Sequence, residues 1–285
     1  MKPAEHRARP LAAAHLTVLE YAPVPWVRTA AKAGFAGVGL RLHPAMPGGV
    51  AYPLAAGSAA HRELRDVLAG EGVAVVDVEF IPVVPDLDAA SFLPLFEAAA
   101  ELGARCVTVS GDDADAARLA ANLAALAGFA RPFGLSIELE FMRWRNVGTL
   151  AQARAAIERA AQPNLAVVID ALHLSRSGGT PDDVAQLPRE LIGFAQLCDA
   201  RAEQPVSDDD AIAEARTARL APGDGALPLD ALLRALPADV PLSVEMPMPS
   251  LPPDARIELA CRGARRVVER AGVAAPAGAL PETAR

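Results

Sequence analysis

Eight short runs rich in Val, Ile and Leu punctuate this chain, at 16–20, 37–42, 73–80, 105–110, 135–141, 165–170, 193–198 and 241–245. Seven helix-like stretches fall between them, at 25–33, 59–69, 91–102, 115–130, 149–160, 180–187 and 229–236. The runs show little strict polar alternation, which suits parallel strands covered on both faces. Several helical stretches run into a glycine, at Gly34, Gly72, Gly103 and Gly134. Glycine accepts the left-handed conformation that ends a helix, so these read as helix stops. Eight repeats of strand and helix within 285 residues predict one (β/α)8 TIM barrel. The rival is an open, doubly wound sheet. Its glycine-rich nucleotide loops are missing: no GxGxxG follows the first run, and no GxxxxGK[ST] occurs anywhere. We therefore expect one domain over 1–285, with its core at about 15–270 and a mobile Ala/Pro/Gly-rich tail at 272–285. The charged segment 201–219 lacks a core face and reads as a long loop after the seventh strand, with room for a short helix. In a barrel, loops on that side shape the active site.

Composition narrows the chemistry. No apolar run approaches the roughly 18 residues of a membrane span. The start is basic and then alanine-rich, but Pro10 interrupts it, and we expect a cytoplasmic protein. A net charge of −8 lacks the basic surface that phosphate backbones require, so no nucleic-acid partner is expected. Cys106, Cys198 and Cys261 form no zinc-type spacing, and Cys106 and Cys198 read as buried, inert thiols. The two lysines, Lys2 and Lys32, are placed at the terminus and in mid-helix, which argues against Schiff-base chemistry. Five histidines, with His6 on the tail and His61 on a helix, argue against a histidine-rich site.

In a barrel the C-terminal ends of the strands converge on one mouth. Glu140, Asp170, Gln196 and Glu245 lie at or near those ends on four consecutive strands. Three carboxylates and one amide oxygen form a hard donor set, which favours Mg²⁺, Mn²⁺ or Co²⁺ over Zn²⁺. Clustered carboxylates without a cation would raise one another's pKa values. A strand-end carboxylate can also simply cap a helix or pair with an arginine, and Glu138, two residues from Glu140, could take its place. His173 is a candidate to orient a ligand or to touch a substrate oxygen while neutral. His43 ends the second strand and reads equally as a substrate contact or a solvated loop residue. Arg219 precedes a Pro-Gly loop and could bind a substrate carboxylate or hydroxyl, or form a surface salt bridge. Trp144 could wall the substrate or pack in the core.

Five stretches carry a family resemblance: 33–41 at the second strand, 139–141 at the fifth, 170–173 at the sixth, 219–225 in the loop after the seventh, and 244–245 at the eighth. In this order the sequence resembles the xylose isomerase-like barrels, which include sugar phosphate isomerases and epimerases, inosose dehydratases and hydroxypyruvate isomerases. The resemblance implies a metal held by Glu, Asp, His and Glu. Glu140, Asp170 and Glu245 match that set, and the histidine of the DxxH run falls on His173. The third ligand departs, because the usual histidine position carries Gln196. A Gln-Leu-x-Asp-Ala run is similar to the bacterial 3-dehydroshikimate dehydratase branch. The superfamily's DNA-repair endonucleases resemble histidine-rich, multi-zinc sites on a basic face, which this composition opposes.

The implied activity begins with a metal polarising a carbonyl and acidifying the neighbouring C–H bond, with Glu140 or Glu245 taking the proton. Isomerisation, epimerisation and dehydration share that step. The expectation is a divalent-metal-dependent isomerase or epimerase of a keto-sugar or polyol, with catalytic Glu140, Glu245 and His173. A dehydratase acting on a cyclic keto-polyol such as 3-dehydroshikimate or inosose is close behind, on the strength of Gln196. A non-catalytic barrel binding metal or sugar is the rival of another class. No Lys/Arg cluster suggests a phosphate site, so an unphosphorylated small molecule is the expected partner. Homo-oligomerisation is left open.

Overall fold

The computed structural model describes residues 10–273. Eight parallel strands close into a barrel in sequence order: β1 (Leu11–Ala13), β2 (Gly37–Arg41), β3 (Ala74–Val83), β4 (Cys106–Gly111), β5 (Ser136–Glu140), β6 (Leu165–Asp170), β7 (Ile192–Leu197) and β8 (Leu242–Val244). β8 pairs back onto β1, with Ala12 opposite Ser243. The helices are α1 (Pro23–Ala33), α2 (Ala59–Glu71), α3 (Leu93–Glu101), α4 (Ala116–Ala130), α5 (Leu150–Ala160), α6 (Ala171–Arg176), α7 (Pro181–Ala185), α8 (Asp208–Thr217), α9 (Leu229–Ala235) and α10 (Pro253–Ala271). No helix among the described residues is long and apolar enough to cross a membrane.

Seven of the eight predicted strands fall in place. The first does not: residues 16–20 form a 3-10 turn at His15–Val18, and the strand is the preceding Leu11–Ala13. Alanine is ambiguous between helix and strand, whereas Leu-Thr-Val imitates a strand. Ala12, Ala13 and Ala14 are all buried. The misread segment instead crosses the barrel mouth, where Leu16 and Leu19 line a cavity.

Three helices, α6, α8 and α10, lie outside the seven stretches read from the sequence. α10 buries Ile257, Ala260, Cys261, Ala264, Val267 and Val268, a helical repeat along one face, and Gly272 stops it in the left-handed conformation. Segment 201–219 contains α8, whose N-terminus carries a capping box between Ser207 and Asp210. Arg176 on α6 ties α8 down through two bonds of 2.7 Å to Glu214. The expected tail at 272–285 lies almost wholly outside the described residues.

Candidate active site at the barrel mouth

Register brings the predicted ligands together. Asp170 ends β6 directly opposite Gln196 on β7, and Gln196 lies opposite Ser243 on β8, two residues before Glu245. Glu140 ends β5 next to β6, opposite Val168. Glu140, Asp170 and His173 offer ligand atoms within 4.8 Å of one another. His173 joins this group because Asp170 caps α6: its Oδ1 accepts the His173 backbone N–H at 2.9 Å, which fixes the first turn and swings the imidazole over the carboxylates. Its Nε2 lies 3.8 Å from Glu140 Oε1.

Arg219 sits at the centre of this cluster. Its Nη1 meets Asp170 Oδ2 at 2.5 Å and its Nη2 meets Glu245 Oε2 at 2.6 Å. Nε donates to Ala215 O on α8 at 2.9 Å, and Nη2 lies 3.3 Å from His173 Nε2. The surface salt bridge is therefore corrected to a buried one, while Arg219 also lines the cavity where its substrate contact was expected. Arg219 is 1% exposed and committed to two of the candidate ligands. The α8 carbonyl fixes the guanidinium so that its fork matches both carboxylates.

The site suits a divalent cation. Gln196 donates Nε2 to Glu245 Oε1 at 3.3 Å, which leaves its Oε1 buried without a hydrogen-bond partner, as is Glu140 Oε1. Buried acceptors without partners are costly, and an ion satisfies them. Three carboxylates facing one guanidinium also leave an excess of negative charge. Burial, and then Glu245 and Asp170, hold the Glu140 carboxyl well above its ordinary range. Burial likewise raises Glu245 to about 7, against the opposing pull of Arg219. Burial would raise Asp170 too, but Arg219 and His173 outweigh it and hold it low. Burial keeps His173 neutral, with a pKa lowered to about 4.

The cavity over this cluster measures about 230 Å³, the size for a small ring rather than a nucleotide. Trp144 lines it, edge-on to His173 at 5.2 Å, and also packs against the buried cluster of Leu172, Cys198, Ala200 and Ala215. His43 is not among the lining residues. Its Nδ1 bonds Phe80 O at 2.9 Å and its ring packs edge-on against Phe92, so its expected substrate contact is corrected to a packing role. Glu138 does not reach the site either. It sits one pleat lower, accepts from Ser136 Oγ at 3.0 Å and faces a separate cavity near the strand N-termini. Cys106 and Cys198 are buried thiols whose pKa values burial raises, Cys198 to about 12.

The structure adds a layer that the sequence reading passed over. Arg41 and Glu79 line the cavity, joined at 2.5 and 2.9 Å. Asp77 lies beside Glu79, and burial and then Glu79 hold its carboxyl well above the usual range. A Cβ at Gly39 would stand 2.6 Å from Asp77 Oδ1 and 2.9 Å from Glu79 Oε1, so glycine gives the pair its room. A charged pair on neighbouring strands, Arg41 opposite Glu79, is the signal that could have revealed it.

Barrel, mouth and donor set together define the class. The description "Xylose isomerase-like TIM barrel" matches residues 27–267, and the chain belongs to that family. It is similar to a 3-dehydroshikimate dehydratase of Pseudomonas aeruginosa, 38% identical over 144 residues. That match covers 48% of this chain and 22% of the relative, so the chain corresponds to only part of the length of that protein. Among solved structures, a xylose isomerase-like TIM barrel/4-hydroxyphenylpyruvate dioxygenase fusion protein superposes with a TM-score of 0.76 at 23% identity, over 95% of this chain and 46% of that one. An IolI protein described with a bound zinc atom superposes with a TM-score of 0.74 at 20% identity, over 92% of this chain and 98% of that one. These two likenesses bear on the fold.

Proposed function

We propose that this chain is a divalent-metal-dependent dehydratase of a small cyclic keto-polyol, with 3-dehydroshikimate the first substrate to test. The observation that carries the reading is the convergence of Glu140, Asp170 and His173 within 4.8 Å, beside the buried, unpartnered Gln196 amide oxygen. Gln196 in place of histidine, together with the dehydratase relative, favours dehydration over isomerisation or epimerisation.

Glu140, Asp170, Gln196 and Glu245 would hold the ion, with His173 as a neighbour able to replace one of them. A bound divalent ion supplies Lewis acidity toward a ketone and its adjacent hydroxyl. In this reading the Glu140 carboxylate takes the proton from the carbon beside the ketone, with Glu245 the alternative. His173 is held neutral, and its Nδ1 has no partner, so it can hydrogen-bond the β-hydroxyl, which leaves with the proton that the carboxylate took from carbon. One C–H and one C–O bond break, a C=C bond forms, and the proton and hydroxide leave as one water. Leu16, Met142 and Trp144 give the cavity an apolar wall.

The test is incubation of the metal-loaded protein with 3-dehydroshikimate, following ultraviolet absorbance of the aromatic 3,4-dihydroxybenzoate. We expect turnover that a chelator abolishes and added Mg²⁺, Mn²⁺ or Co²⁺ restores. Glu140→Gln should lose both turnover and bound metal by elemental analysis. Chelator-insensitive turnover, or full metal content in Glu140→Gln, would refute the site assignment.

A further inference from the structure

Of the four candidate ligands, Glu140, Asp170 and Gln196 lie within strands, whereas Glu245 stands one residue beyond β8, itself only three residues long. On one side β7 holds it, because the Glu245 N–H donates to Leu197 O at 3.0 Å. On the other side β1 ends at Ala13, and the Ala14 N–H donates to Val244 O at 2.9 Å. The chain then turns into the 3-10 segment His15–Val18, and a side chain takes over from the backbone. Thr17 Oγ1 donates to Val244 O at 3.2 Å and accepts the Met246 N–H at 3.1 Å. A hydroxyl donates and accepts at once, so one atom joins the peptide groups on both sides of Glu245. Thr17, Val244 and Met246 are fully buried, so these groups depend on one another rather than on solvent.

The turn that carries Thr17 is itself anchored. The Thr17 carbonyl accepts Arg256 Nη1 from α10 at 2.7 Å, and Arg256 also pairs with Glu20 at 3.0 Å. Leu16 and Leu19, from the same stretch, line the cavity. The Glu245 carboxylate meets Arg219 at 2.6 Å and Gln196 at 3.3 Å, and a rotation of either flanking peptide would carry it off both. We propose that Thr17 is a positioning residue for the metal site: its hydroxyl does at Glu245 what the neighbouring strands do at Glu140, and so fixes where that carboxylate stands. This rests on the reading of Glu245 as a metal ligand. It also ties the apolar cap of Leu16 and Leu19 to the metal site, since one residue holds both.

The probe is Mn²⁺, titrated into the full chain, with free Mn²⁺ followed by electron paramagnetic resonance. The parent should bind it. Thr17→Val keeps the shape and removes the hydroxyl, and should weaken binding about tenfold, the lower end of what the partners of metal ligands contribute. Thr17→Ser keeps the hydroxyl and should bind as the parent does. A role in stability alone is separated by Leu64→Ala on α2, between β2 and β3, which opens a core cavity away from the candidate ligands. It should lower stability in urea and leave Mn²⁺ affinity as it is. Where valine does not fold, Thr17→Ala removes the same two bonds without adding a contact. The proposal is overturned if the hydroxyl-free variant binds Mn²⁺ as tightly as the parent, if Thr17→Ser weakens binding as much, or if Leu64→Ala weakens it equally. A parent that binds no Mn²⁺ overturns it together with the metal reading, whereas tight binding that survives loss of the hydroxyl overturns it alone.

Discussion

His15 ties the barrel mouth to a single protonation state. Its Nε2 bonds Tyr21 O at 2.8 Å, and its Nδ1 accepts the Arg41 backbone N–H at 2.9 Å. A carbonyl needs a donor and an N–H needs an acceptor, so the ring is the neutral Nε2–H tautomer. Protonation would set a second N–H against that of Arg41, in a ring stacked on Trp26 at 5.7 Å and Tyr52 at 5.4 Å. Burial lowers its pKa from 6.5 to about 4, outweighing the carbonyl bond that would raise it. The unfolded chain therefore binds the proton first as pH falls through about 6.5, while the folded protein resists until about 4. Stability linked to this group is intact above about pH 6.5, falls as pH falls, and levels off below about pH 4. The total loss is about 3 kcal/mol, of which about 2 kcal/mol appears between about pH 7.5 and 5. The assay is urea unfolding across that range for the parent and His15→Gln. The substitution lowers stability at every pH, but the pH slope is the readout, and subtracting one curve from the other removes what His173 contributes. Parallel curves for parent and variant would refute the tautomer argument.

Two other predictions concern the frame around the site. Glu214→Ala strands the Arg176 guanidinium, which is 2% exposed, and should cost about 3 kcal/mol in denaturant unfolding, because removing one partner of a buried pair leaves an uncompensated charge. It should also weaken ligand binding, since α8 carries both Ala215 and Arg216. Ala161 caps α5 at φ 50°, in the left-handed region, so Ala161→Gly should raise stability by about 1 kcal/mol in the same assay.

How much of the site was legible follows from where its signals lie along the chain. Glu140, Asp170 and Glu245 each stand at the C-terminal end of a strand-like run, the place from which a parallel barrel strand presents a side chain to the mouth. Their convergence needed only the eightfold repeat. Arg41 escaped because an arginine in Gly-Leu-Arg-Leu looks like an edge residue until β3 supplies Glu79 as its partner. His43, two positions further, looked more chemical, but the chain leaves β2 there and its ring turns onto Phe92.

By itself, then, the sequence determined the barrel, the order of its strands and the oxygen-rich donor set, because hydrophobic period and strand-end chemistry are local properties. Tertiary structure decided the rest. It moved the first strand to Leu11-Ala12-Ala13, since only packing against β2 and β8 gives such small residues a strand's place. It committed Arg219 to Asp170 and Glu245. Which cation meets which carboxylate depends on distances between elements far apart in the chain, and closure of the barrel sets those distances.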